Sequence, residues 1–205
     1  MKIERINDYD DDRFSQIALF QHGCYLIDEQ PYEIIIDGPD SAVIKGENPN
    51  YYGDLIEEFL FHAPHVRYFR DMDGNKIACY PERKLLTIGI DDIQPSQFYV
   101  DEDKLAAVRT FINSADDIII QVQKDEHGFI SLDGHSRLYL AVERGYDHVK
   151  AVLEESDGWL QVFVDEARRR GVYRPSDMVL LPHEEYEIRW NQYCDEVFSN
   201  NTMKE

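Results

Sequence analysis

Two stretches decide the fold reading: Ile118-Ile119-Ile120-Gln121-Val122, and FISLDGHSRLYLAVERGY at 129–146. The first is a nearly unbroken β-branched run, the pattern of a strand covered on both faces. Lys124–Gly128 turns the chain into a second strand, Phe129–Leu132. The period then changes. Gly134–Arg144 reads as a helix, with Asp133 as its N-cap and Gly145 just past its end. Upstream, Leu105, Val108, Phe111 and Ile112 recur at helical spacing and predict a helix over about Asp103–Asn113. Downstream, Val149–Leu153 closes a compact α/β unit as another strand.

Towards the N-terminus, residues 1–20 form a polar, acidic lead. Cys24–Ile27, Tyr32–Ile36 and Ala42–Ile44 are short β-prone runs punctuated by Asp28-Glu29-Gln30-Pro31 and Asp37-Gly38-Pro39-Asp40, so a small antiparallel meander is expected. A helix over Tyr52–Phe61 should stop before Ala63-Pro64. Asp71–Asn75 reads as a hairpin turn between Val66–Arg70 and Ile77–Tyr80. Towards the C-terminus, Trp159–Arg170 reads as a helix stopped by Gly171. A second helix, about Pro182–Phe198, carries Tyr186, Trp190, Tyr193, Cys194 and Val197 on one stripe suited to core packing. Asn200–Glu205 is expected to fray.

The composition narrows the function classes. Hydrophobic residues make up 43% of 205, too many for a disordered chain. No apolar run approaches the ~20 residues of a membrane span, and the first residues do not resemble a signal peptide. Cys24, Cys79 and Cys194 are odd in number and lack CxxC spacing, which favours free thiols in a reducing compartment; a cytoplasmic protein is expected. Acidic residues number 41 against 21 basic, a formal net charge of −20. Residues 91–155 alone hold 14 acidic and 6 basic residues, a net of −8. Nucleic-acid affinity rests on cations that neutralise phosphates, so duplex DNA binding is disfavoured.

The turn Asp133-Gly134-His135-Ser136-Arg137 carries the chemistry. A strand entering a helix through glycine leaves the first helical N–H groups facing outward, and with the helix dipole they form an anion site. Gly134 permits close approach. Arg137 sits where the dipole disfavours a cation by roughly 0.3–1 kcal/mol, so Asp133 or a bound anion must compensate. A guanidinium beside such amides grips phosphate in two-pronged fashion, and His135 and Ser136 add donors. An N-cap with a local Asp133–Arg137 pair is the simpler alternative.

The pattern Ile93-Gln94-Pro95-Ser96-Gln97, helix, IIIQV, FISLDGHSRLYLAVERGY and VKAVL resembles the ParB/sulfiredoxin-like superfamily over about 65 residues. Members of that superfamily bind nucleotide phosphates at a G-x-x-R turn: CTP in ParB partition proteins, ATP in sulfiredoxins, ATP or ADP in ParB-like free serine kinases. The resemblance implies that Gly134, His135, Ser136 and Arg137 contact the phosphates and that Asp133 lies beside the reacting phosphoryl group. Asp133 and His135 are then the expected catalytic pair, with Mg²⁺ accompanying ATP or another nucleotide and a small molecule as acceptor.

The departures are specific. Sulfiredoxins place a cysteine nucleophile where this chain has His135. The serine kinases have a second histidine in place of Ser136. They also have a catalytic glutamate shortly after the proline, where this chain reads Pro95-Ser96-Gln97. An amide takes no proton from a hydroxyl, so Asp101 or Glu102 would have to substitute. ParB partition proteins add arginines and a helix-turn-helix that are not recognisable here.

Other candidates have ordinary accounts. His22, His62 and His65 lack an indicated third ligand, so no metal site is assigned. Asp71, Asp73 and Asn75 mimic the start of a calcium loop with Glu82 at its twelfth place. Gly74 then falls at the fourth position instead of the sixth, and a hairpin explains the run better. His183-Glu184-Glu185 suits a helix start, and Arg168-Arg169-Arg170 a helix end.

The expectation is an α+β protein with a β-rich N-terminal segment (1–85), a ParB/sulfiredoxin-like domain (86–155) and a two-helix C-terminal extension (156–205) packed against that domain. Its expected function is nucleotide binding, with phosphotransfer or hydrolysis as the enzymatic form. The alternatives are a non-catalytic, nucleotide-gated or protein-binding adaptor and, third, a ParB-like nuclease or DNA binder.

Overall fold

The structure is a computed structural model that describes residues 2–156, 158 and 160–202. The protein is α+β, and residues 1–85 and 86–205 form two compact units.

In the first unit, the strands β1 (Ile3–Arg5), β2 (Cys24–Ile27), β3 (Gln30–Ile36), β4 (Ser41–Lys45), β5 (Tyr68–Asp71) and β6 (Lys76–Cys79) lie side by side in chain order. All neighbours are antiparallel except β4 and β5, which are parallel. That parallel pair needs a crossover, and helix α2 (Tyr52–His62) supplies it. Tyr52, Leu55, Ile56 and Phe59 of α2 pack on Tyr32, Ile34, Ile44 and Phe69. The acidic lead is more ordered than its composition suggests: it holds β1 and a five-residue helix, α1 (Gln16–Phe20). Ala18 and Leu19 of α1 cover the opposite sheet face beside Cys24 and Ile35. The helix starts on Glu33, a buried strand residue whose carboxylate accepts from the Ser15 amide (3.0 Å) and hydroxyl (2.7 Å) and from Lys45 Nζ (3.1 Å). A buried carboxylate is tolerated only when paired in this way.

The second unit is built on a mixed sheet. Its strands are β7 (Leu86–Gly89), β8 (Ile93–Pro95), β10 (Ile119–Asp125), β11 (Gly128–Ser131) and β12 (His148–Leu153), in the order β7-β12-β10-β11-β8. Between β8 and β10 come β9 (Tyr99–Asp101) and α3 (Glu102–Arg109). The β-branched run at 118–122 leads into the central strand β10, which is parallel to β12 and antiparallel to β11. Helix α4 (His135–Glu143) follows β11. Helix α5 (Leu160–Arg169) sets Leu160 and Val164 against Ile130, and Phe163 and Ala167 join the main core. Trp159, the expected first residue of that helix, lies outside the described residues.

The final helical stretch is not one regular helix. Strand β13 (Val179–Leu181) pairs in parallel with β9. It leads into α6 (His183–Tyr186), a π-helical turn over Glu187–Asn191, and α7 (Gln192–Thr202). Tyr186 and Trp190, four residues apart, both enter the core, Trp190 against the rings of Phe98 and Phe163. The expected aromatic stripe is core: Phe163, Ala167, Tyr186 and Trp190 share one apolar interior with the sheet, with Tyr193, Cys194 and Val197 packed against it. Helix persists through Asn200–Thr202, where fraying was expected; residues 203–205 lie outside the described residues.

Candidate functional site

Leu132 leaves β11 by donating its amide to Gln121 O at 2.9 Å. The helix then starts one residue later than expected. Gly134, not Asp133, is the N-cap of α4, at φ +86° and ψ +22°. Asp133 loses the capping role because its carboxylate turns to Arg137 instead. The position demands glycine twice over. Positive φ is costly for other residues, and a Cβ would stand 2.6 Å from Ile120 Cγ2 and 3.2 Å from the Arg137 guanidinium. A glycine cap offers no side chain to the first-turn amides of His135, Ser136 and Arg137. The far end of α4 closes as expected, with Gly145 at φ +69°, its amide on Val142 O and that of Tyr146 on Ala141 O.

Arg137 is one-fifth exposed. Its Nη2 donates to Asp133 Oδ2 at 3.1 Å and its Nη1 to the Ile119 carbonyl. The local Asp133–Arg137 pair is thus formed, beside the amides of the same turn. Asp133 is 45% exposed at its side chain, so the pair faces solvent. Ser136 is half-buried.

His135 departs from expectation. Its ring is buried under the turn, with Nε2 at 3.0 Å from Ser131 Oγ and 3.1 Å from Ser96 Oγ. Ser96 Oγ spends its hydrogen on Ser131 O at 2.7 Å. Burial pulls the imidazole pKa down to about 4, partly opposed by Asp133, so the ring is neutral at pH 7. This side chain holds β8, β11 and α4 together and is not presented to a phosphate; its share in an anion site is its backbone amide.

Gln97 Nε2 donates to the Tyr99 carbonyl and, at 3.1 Å, to Tyr186 Oη. Asp101, weighed as a substitute base, is fully buried and caps α3 by accepting from Asp103 N at 2.9 Å. Its other oxygen lies 2.9 Å from His183 Nδ1. Asp101, Asp103 and His183 bring ligand atoms within 4.8 Å of one another, close enough to share a cation. Sequence reasoning missed this set because parallel pairing of β13 with β9 assembles it, and no local spacing records that. Two of the three histidines weighed from sequence are engaged elsewhere: His62 Nε2 with Arg5 at 2.7 Å, His22 Nε2 with Tyr9 Oη at 3.0 Å. Asp71 organises the expected hairpin turn, accepting from the amides of Asp73 and Asn75. Arg168 reaches Gln94 and Asp125, while Arg169 and Arg170 share Glu166.

No protein-family model matches the chain, and no curated protein matches it. Among solved structures, the crystal structure of protein Atu1540 from Agrobacterium tumefaciens is similar at 18% identity, with a TM-score of 0.33 over 47% of this chain. This chain spans 61% of that protein's length. Among the described residues no helix is long and apolar enough to cross a membrane.

Proposed function

We propose that the Asp133–Arg137 turn binds the phosphates of a nucleotide, in a domain of the ParB/sulfiredoxin-like kind. One observation carries the reading: α4 begins on a left-handed glycine that brings no capping side chain to its first-turn amides, with the Arg137 guanidinium 3.2 Å from where a Cβ on that glycine would stand. That arrangement suits a phosphate, which takes several N–H donors and a two-pronged arginine together. The Asp133–Arg137 pair is no obstacle. Its Asp133 side is 45% exposed, so that carboxylate can turn to solvent, while Arg137, only 19% exposed, keeps its place and can make charge-assisted hydrogen bonds worth roughly 1.5–3 kcal/mol. A phosphate can therefore displace Asp133 from Arg137 while the Ile119 carbonyl keeps the guanidinium in place.

Binding without turnover is the form of this function that the side chains favour. Gln97 cannot act as a base, and its amide is held by Tyr99 and Tyr186. His135 is buried. In the enzymatic form Asp133 alone of the turn would face the reacting phosphoryl group and could hold Mg²⁺ with the nucleotide, a small molecule serving as acceptor. A protein partner fits the non-catalytic form. A DNA-binding form has little support from a chain of net charge −20. The free thiols of Cys24, Cys79 and Cys194 support a cytoplasmic location.

Calorimetric titration with ATP, ADP, CTP and GTP, with and without Mg²⁺, tests the proposal. At least one should bind, and Arg137→Ala should weaken it by roughly tenfold or more, the equivalent of one charge-assisted hydrogen bond. Lack of binding by all four sinks it. Product formation abolished by Asp133→Asn would establish the enzymatic form.

A further inference from the structure

Strand β9 and the helices after the sheet gather cations around one phenol. Tyr99 Oη accepts from Arg170 Nη1 at 2.9 Å and from Arg189 Nη2 at 2.5 Å. The Arg189 guanidinium lies 4.4 Å from the Tyr99 ring centre, and that of Arg170 lies 4.3 Å from the Phe98 ring centre. Guanidinium groups only donate, so the two arginines occupy the acceptor capacity of the phenol oxygen. Its own O–H then points away from both, and it has no acceptor among the described residues.

Two like charges converging on a neutral oxygen repel one another, and neighbouring acids offset this only in part. Glu166 is shared between Arg169 and Arg170, contacting each at 2.6 Å, and the hydrogen bond from Arg169 foremost holds its pKa down to about 2. Glu185 reaches Arg189 at 3.5 Å. Three guanidiniums thus share two carboxylate partners. Arg170 Nη2 and Arg189 Nε have no partner among the described residues, and both side chains are at least one-third exposed.

We propose that Tyr99, Arg170 and Arg189 form a second anion site, taking a phosphate dianion such as a phosphomonoester and separate from the Asp133–Arg137 turn. The phenol O–H and the spare guanidinium N–H groups supply donors from three side chains, which suits a tetrahedral oxyanion with several acceptors. A dianion also relieves the repulsion between the arginines, whereas a single carboxylate would only duplicate what Glu185 does.

The test uses the full chain and inorganic phosphate, read by NMR of the arginine Nε–H groups at constant ionic strength, with chloride as control. Saturable shifts at Arg170 and Arg189 are expected. Tyr99→Phe, which keeps the ring and removes the donor, should weaken binding several-fold, and so should Arg189→Gln; Arg137→Ala should leave it unchanged. Unfolding midpoints show whether the variants fold. Shifts no larger than with chloride overturn the proposal, as does wild-type affinity in folded Tyr99→Phe and Arg189→Gln. Loss of these shifts in Arg137→Ala would overturn the separateness of the two sites.

Discussion

Gly134 occupies a position that no other residue fills at the same cost. Its φ of +86° and the 2.6 Å approach of Ile120 to a would-be Cβ act together. A strained backbone of this kind costs about 1–3 kcal/mol. Gly134→Ala should therefore lower stability by about that amount in urea unfolding and weaken any nucleotide bound at the turn. A neutral effect on both would show that the glycine conformation is incidental. The glycine was legible in sequence because a strand, a turn and a helix meet there. The Asp133–Arg137 pair was legible too; what was not is that pairing takes Asp133 away from the cap, since that depends on where the Ile119 carbonyl fixes the guanidinium. His135 was misread for a related reason: burial beneath the turn comes from Ser96 and Ser131, and Ser96 lies 39 residues away.

Short strands defined only by their partners account for most of what the sequence hid at the level of elements. The run at 118–122 announces itself by β-branching, but β7, β8, β9 and β13 have only three or four residues each. Pairing of β13 with β9 sets His183 against the buried carboxylate of Asp101, 82 residues apart. The Asp101 hydrogen bond raises the His183 pKa above 6.5, against some desolvation. A raised folded pKa stabilises below the unfolded value, and the contribution is lost as pH rises through the folded one. His135 has the opposite sign. Its pKa falls from 6.5 to about 4 on folding, so the unfolded chain takes up more protons over that window and acidification destabilises the fold. Two limbs follow. His183→Gln should flatten the loss of urea midpoint on the alkaline side of 6.5, and His135→Gln the loss between 6.5 and about 4. Identical pH profiles for His183→Gln and the parent chain would remove the Asp101 contact from the account.

At the scale of the whole molecule, the two units each bury their own core. Residues 1–85 enclose the cluster around Tyr25, Tyr32, Ile34, Leu55 and Phe69, and residues 86–205 the cluster around Ile93, Ile120, Leu138, Phe163 and Tyr186. The sequence reading set a boundary between residues 85 and 86 and left open whether the first segment is a unit of its own, which its separate core makes it. The aromatic stripe pointed to packing of the C-terminal helices on the central domain, but it did not name the strands they cover, because a stripe does not specify its partner surface. Pro81–Leu85 joins the units as an exposed stretch without helix or strand, and it contains Arg83 and Lys84. Cleavage needs a segment that opens at low cost, and regular elements bonded into a sheet do not. Brief trypsin treatment should therefore cut first after Arg83 or Lys84. Separated by chromatography, the C-terminal fragment should unfold in one cooperative transition, since it keeps its whole apolar interior. It should also keep the nucleotide affinity of the full chain, because Asp133–Arg137 and every group that positions them lie beyond the cut. Mass spectrometry locates the cleavage, and calorimetry on the purified fragment measures the rest. First cleavage inside β10 or α4, or a fragment that melts without cooperativity, would mean that the second core depends on residues 1–85.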